Sequence, residues 1–148
     1  MGDATTRESE TPDDYRPPGR MLRDDRASTG LLGMRVLEMR DGHAIVAMTV
    51  REDMVNGHGI AHGGLIFALA DTAFAMACNE EGSITVSSGA EITYFAPSHV
   101  GQELTATARL RSKRGRSGIY DVEVRSETGV VAEFRGHSRR VRQGTEHA

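Results

Sequence analysis

Asp71 is the residue in this chain whose surroundings most demand a chemical task. It stands inside the run Leu65-Ile66-Phe67-Ala68-Leu69-Ala70-Asp71-Thr72-Ala73-Phe74-Ala75-Met76-Ala77-Cys78, where nearly every neighbour is apolar. In a helix, residues three, four and seven away share its stripe, and these are Gly64, Phe67, Ala68, Phe74, Ala75 and Cys78. A carboxylate there is expected to face the most apolar side of the element, where an unpaired charge is costly or shifts its pKa. Such a group suits a general base or a carboxylate nucleophile. The bland alternative is a structural acid paired with an arginine.

The stretch before it, Asn56-Gly57-His58-Gly59-Ile60-Ala61-His62-Gly63-Gly64, offers polar side chains and bare backbone. If Gly63-Gly64 opens the helix, its first N–H groups lack intrahelical partners and the dipole there is positive. That is a site for a carbonyl oxygen or an oxyanion. Asp71 lies eight residues beyond Gly63, about 12 Å along a helix axis. One substrate carbonyl cannot touch both on the same helix, so a reaction using both needs a second, antiparallel copy beside the first. The expectation is a homodimer with shared sites.

Other candidates are weaker. His58 and His62 are spaced by four but precede the helix, which argues against a metal pair, and no metal is expected. His62 suits either loop orientation or substrate contact. Asn56 in an Asn-Gly pair is a common turn residue. Ser87 and Ser88 could bond a water or only a strand neighbour. Cys78, the single cysteine, excludes an intrachain disulfide and fits a reducing cytoplasm, where a buried core thiol is the ordinary role. No Ser-His-Asp triad and no Walker or Rossmann glycine pattern is legible.

These groups need elements to hold them. The 148 residues suffice for one domain, and the net charge of −3 gives no basic field for nucleic acid. The longest apolar stretch is too short to span a bilayer. Residues 1–20 read as a disordered acidic, proline-containing tail, 21–142 as the domain and 143–148 as a flexible end. A short helical turn is expected within Asp24 to Gly33, then a strand over Met34 to Met39, an Asp41-Gly42 turn and a strand over His43 to Arg51. A glycine-rich loop leads to a helix over roughly 63–80, with Gly82 as its stop. Strands follow at 83–95, 102–113, 117–126 and 129–141, with inward alternation through Leu104, Ala106, Ala108 and Leu110, through Tyr120, Val122 and Val124, and through Val130, Ala132 and Phe134. Short links make the strands antiparallel, which gives an α+β class: one long helix wrapped by a curved sheet of five to six strands. Basic residues cluster at Arg111, Lys113, Arg114 and Arg116 and at Arg139, Arg140 and Arg142, suggesting phosphates of a nucleotide carrier. Solvated turn charges are the plainer explanation for any single one.

The segment from Asn56 through Asn79 resembles the signature of the hotdog-fold acyl-CoA thioesterases, most closely the phenylacetic acid degradation (PaaI) type. The similarity runs from about Leu31 to Val141, through Tyr94-Phe95-Ala96-Pro97, Gly118-Ile119-Tyr120-Asp121-Val122 and Phe134-Arg135-Gly136. It implies a hotdog fold, double-hotdog dimers pairing into a tetramer, and no cofactor beyond the CoA of the substrate. It implies that Asp71 is the nucleophile or general base, that Gly63 N–H polarises the thioester carbonyl, and that Asn56 and His62 place substrate or water. Gly64 and either Ser87 or Ser88 would contact substrate, while Lys113, Arg139 and Arg140 would contact CoA. The expected activity is hydrolysis of aryl- or arylacetyl-CoA in the cytoplasm, with no nucleic acid or membrane partner. A hotdog enoyl-CoA hydratase or dehydratase and a non-catalytic acyl-CoA sensor are the competing readings.

Overall fold

In a computed structural model, residues 24–79 and 84–141 are described. The acidic tail, Gly82, Arg142 and the segment 143–148 lie outside them, as do the expected domain boundaries. A π-helical turn, Arg26–Leu31, is capped by Asp25, whose carboxylate accepts from Ser28 N–H. Strands β1 (Arg35–Arg40) and β2 (His43–Thr49) form the expected hairpin across Asp41-Gly42. Helix α1 (Gly63–Cys78) follows, then β3 (Thr85–Tyr94), β4 (Glu103–Arg114), β5 (Ser117–Ser126) and β6 (Gly129–Arg140). All six strands join one antiparallel sheet in the order β1-β2-β4-β5-β6-β3. This is the helix wrapped by a sheet that the sequence patterns anticipate.

The helix carries the chain from β2, near one edge, to β3 at the opposite edge. It ends not at a glycine but at Asn79, whose side-chain NH2 donates to Ala75 O (2.9 Å) while its Oδ1 accepts from Thr85 N–H (3.1 Å). One amide thus closes the helix and fixes the start of β3. At the other end, the Tyr94 hydroxyl donates to Gly63 O at 2.7 Å. The two ties make β3 run antiparallel along the flank of α1.

Alternation sets the core. Ala44, Val46, Met48, Leu104, Ala106, Ala108, Tyr120, Val122 and Val124 are all buried against the helix. Two bulges alter the expected pattern. Val124 pairs with Ala132 but Arg125 with Val130, so Val131 is the extra residue, and it, rather than Val130, is fully buried. Leu110 stays 41% exposed because it lies past the last β2 partner of β4 and just before the bulge at Arg111. In the centre, Phe74 packs on Tyr120 and Phe134 with ring centroids 5.5 and 5.9 Å away. Gly136 lies under that ring, and a Cβ there would stand 2.8 Å from Phe74. Gly136→Ala should therefore lower stability by ~1–3 kcal/mol through overpacking, read as a drop in urea midpoint at unchanged m-value.

Candidate active site at the helix start and open flank

Building from the loop, Asn56 shapes the turn that delivers the helix. Its Oδ1 accepts from the N–H groups of His58 (2.9 Å) and Ile60 (3.4 Å). Its Nδ2 donates no hydrogen bond among the described residues, so the amide is a turn brace with a donor to spare. The loop is held below by Ala61 N–H to Ser98 O and His62 N–H to Met54 O.

His62 is the N-cap. Its Nδ1 accepts from Gly64 N–H at 3.2 Å, which leaves the ring proton on Nε2, and its backbone oxygen accepts from Leu65 and Ile66 N–H. Of the four N–H groups at the start of α1, three are thereby used. Gly63 N–H alone has no partner among the described residues, and it points out of the positive end of the helix. This is what a carbonyl-polarising donor needs. Gly63 has ordinary helical φ, and its lack of a side chain serves a close approach: a Cβ would lie 3.1 Å from Cζ and 3.2 Å from the hydroxyl of Tyr94. The sequence reading did not single Tyr94 out, although it stands in the matched Tyr94-Phe95-Ala96-Pro97 segment.

Asp71 corrects one expectation. The fully buried side of α1 is Ile66, Leu69, Ala70, Ala73, Phe74 and Ala77. Asp71 belongs instead to the half-buried flank with Phe67, Ala68, Thr72 and Ala75. Periodicity grouped Asp71 correctly with Phe67, Ala68 and Ala75, but Phe74 and Cys78 of the same expected stripe are buried, because in a helix apolar all round it cannot tell which side the sheet takes. Among the described residues Asp71 has no hydrogen bond or ion pair. Desolvation by these apolar neighbours pushes its carboxyl above the ordinary value of 3.8. Cys78, one level further along, is buried, and its thiol is pushed up to about 12 by desolvation, with Asp71 adding to the rise. It is inert core.

The ties at Tyr94–Gly63 and Asn79–Thr85 allow β3 to be scaled against the helix. At ~1.5 Å per helical residue and ~3.3 Å per strand residue, Asp71 lies level with Gly89 and Ala90. Small residues leave that level of the flank open. Beside it, the two serines part company at a bulge: Ser87 pairs with the buried Ser138 and so faces the helix side, while Ser88 donates to His137 O at 3.1 Å. Of the candidate pair, Ser87 is the one on Asp71's face.

The expected CoA contacts also divide. Lys113 and Arg140 line one hollow with Arg116 and Cys78, beyond the C-terminal end of α1. Arg139 alternates to the other face, with its guanidinium 3.3 Å from the Ser117 hydroxyl. A hollow of about 820 Å³ is on the outer face of the sheet and is lined mainly by charged side chains, among them the bidentate Arg135–Asp121 pair (2.7 and 3.1 Å). Arg135 holds the Asp121 carboxyl below its usual range. A charge-lined groove does not suit an apolar acyl group. Among the described residues no three His, Cys, Asp or Glu side chains converge, and His58 stands on the loop while His62 caps the helix. No helix of the described residues is long and apolar enough to cross a membrane.

Comparison with known proteins adds independent findings. Residues 58–133 match the sequence profile of the Thioesterase superfamily. The chain is 44% identical over 119 residues to the acyl-coenzyme A thioesterase PaaI of Escherichia coli, covering 80% of this chain and 85% of that protein. The solved structure of Escherichia coli PaaI, from the phenylacetic acid degradation operon, superposes with a TM-score of 0.78 at 43% identity, over 82% of this chain and 88% of that one. A protein of Thermus thermophilus gives a TM-score of 0.73 at 42% identity, over 76% and 96% of the two chains.

Proposed function

The chain belongs to the thioesterase superfamily, and from that premise we propose that it hydrolyses aryl- or arylacetyl-CoA thioesters to the free acid and CoA, as a homodimer with shared sites. The observation that carries this is a Gly63 N–H without a partner among the described residues, on the same helix as a half-buried Asp71 that has none among them either. The two are about 12 Å apart along the axis, so they meet only across an antiparallel helix pair. Gly63 N–H of one subunit then polarises the thioester carbonyl. Asp71 of the other attacks that carbon, or takes the proton of a water that does. The C–S bond breaks, the thiol of CoA leaves, and water supplies the acid's second oxygen. Asn56, through its spare amide donor, and His62, through Nε2–H, place substrate or water, and Gly64 and Ser87 line the path. CoA enters as substrate, and the chemistry of these groups needs no metal or further cofactor.

The edges of the sheet favour the pairing. Edge strand β1 carries Arg35, Glu38 and Arg40 in six residues, whereas edge strand β3 carries only Glu91 in ten. A long, nearly uncharged edge beside a half-open apolar flank is a surface for a second copy, and two such dimers would make the tetramer. Phe67 on that flank meets Phe134 edge-on at 5.3 Å, an aromatic wall suited to an aryl group. The relative from the phenylacetic acid degradation operon supports the same acyl class. A reducing cytoplasm suits the free thiol of Cys78.

The deciding experiment is a panel of aryl-, arylacetyl-, alkyl- and enoyl-CoA esters, followed by thiol release and by loss of the double bond. Arylacetyl-CoA should release thiol fastest. Double-bond loss without thiol would make the protein a hydratase, and neither signal would leave a binding protein. In the same assay Lys113→Ala and Arg140→Ala should raise KM for the CoA ester more than they lower kcat, with Arg139→Ala near wild type. The KM effects should shrink with salt, because screening reaches ~8 Å at physiological ionic strength. Acyl-N-acetylcysteamine, which lacks the nucleotide, should register no penalty.

A further inference from the structure

Two adjacent glycines make a weak helix start, since each costs ~1 kcal/mol relative to alanine. Yet the proposed site requires the Gly63 N–H to hold one direction. Two side chains brace the peptide group that follows it, Gly63–Gly64, from opposite sides. The Tyr94 hydroxyl donates to Gly63 O at 2.7 Å, and Gly64 N–H, on the same peptide unit, donates to His62 Nδ1 at 3.2 Å. The chain of bonds runs from Tyr94 O–H through the Gly63–Gly64 peptide to the imidazole. Such linked bonds polarise one another. The Tyr94 ring also fills the space where a Gly63 side chain would be.

We propose that Tyr94 is a positioning residue for the hydrolysis: through the Gly63–Gly64 peptide it fixes the direction of Gly63 N–H and holds His62 with its proton on Nε2. The inference rests on the reading of Gly63 as the carbonyl-polarising donor. It assigns a task to a strand residue that touches the helix 31 positions earlier in sequence. Burial pushes the Tyr94 phenol above its usual value, so it remains a donor at neutral pH.

The test is Tyr94→Phe in the full chain, which keeps the ring and removes one oxygen. kcat should fall about tenfold with KM within twofold, because the carbonyl is polarised mainly in the transition state. By NMR, the Gly64 amide proton should move upfield and the His62 ring should lose its uniform Nε2–H signature. Melting temperature, read alongside, should stay close to wild type. A kcat within twofold of wild type overturns the proposal, and so does a loss confined to KM, which would mark Tyr94 as a substrate contact. A fall in kcat with an unmoved Gly64 amide also overturns it. Failure of the underlying reading looks different, since a folded Gly63→Pro, which lacks the N–H, would then retain activity whatever Tyr94→Phe does.

Discussion

Asp71→Asn should lower kcat for the best acyl-CoA ester by ~10²-fold or more while the chain folds and assembles as before. Asparagine matches aspartate in shape, yet it can neither accept a proton from water nor attack as a carboxylate. The desolvation that raises the Asp71 pKa predicts two further effects. Because the carboxylate must be ionised to act, the acid limb of the kcat profile should lie above the ordinary carboxylate value of 3.8. For stability the sign is opposite to that of a salt-bridged acid. With the folded pKa raised, the native state binds more protons than the unfolded state between the two values, so stability declines as pH rises through that window. At neutral pH the ionised group is a net cost. Asp71→Asn should then melt higher than wild type near pH 7, and the gap should close as pH falls toward the unfolded-state pKa. A well-folded Asp71→Asn enzyme with wild-type turnover would remove Asp71 from the mechanism.

Mixing two dead variants should restore activity. Asp71→Asn lacks the carboxylate, and Gly63→Pro lacks the N–H that polarises the carbonyl. Proline is tolerated at the first helical position, although here its Cβ must displace the Tyr94 ring, which stands at 3.1 Å. If each site takes Gly63 from one subunit and Asp71 from the other, a mixed dimer holds one intact site and one doubly disabled site. Equal mixing with random exchange makes half the dimers mixed, so activity should return to about a quarter of the wild-type level. Circular dichroism of Gly63→Pro alone establishes that it folds. If refolded mixtures stay as inactive as the parents, or if a fully active monomer is found in solution, each subunit holds its own site and the shared-site reading fails.

Much of this protein was legible in its residues. Period-two alternation placed the strands within a residue or two, and the apolar run with Gly63-Gly64 before it placed the helix. The types and spacing of Gly63 and Asp71 pointed to carbonyl chemistry, the family resemblance alone implied roles for Asn56 and His62, and the rise per residue set Gly63 apart from Asp71. Local rules suffice there because helix caps, turns and strand periodicity depend on neighbours in sequence.

What sequence could not supply depends on which surfaces meet. Nothing local says that the helix carries β3 across the sheet to pair with β6, or that Tyr94 and Asn79 then lock the ends of that strand to the helix. An all-round apolar helix hides its buried side, so only the packed sheet shows Asp71 on the open flank. Neighbouring strand residues face opposite sides in any strand, so Ser87 and Ser88 had to part, but only the register with β6 shows that Ser87 takes the helix side. The sequence by itself determined the elements and the chemical groups. The tertiary structure decided which groups share a face, because side-chain direction follows from register and packing rather than from residue type.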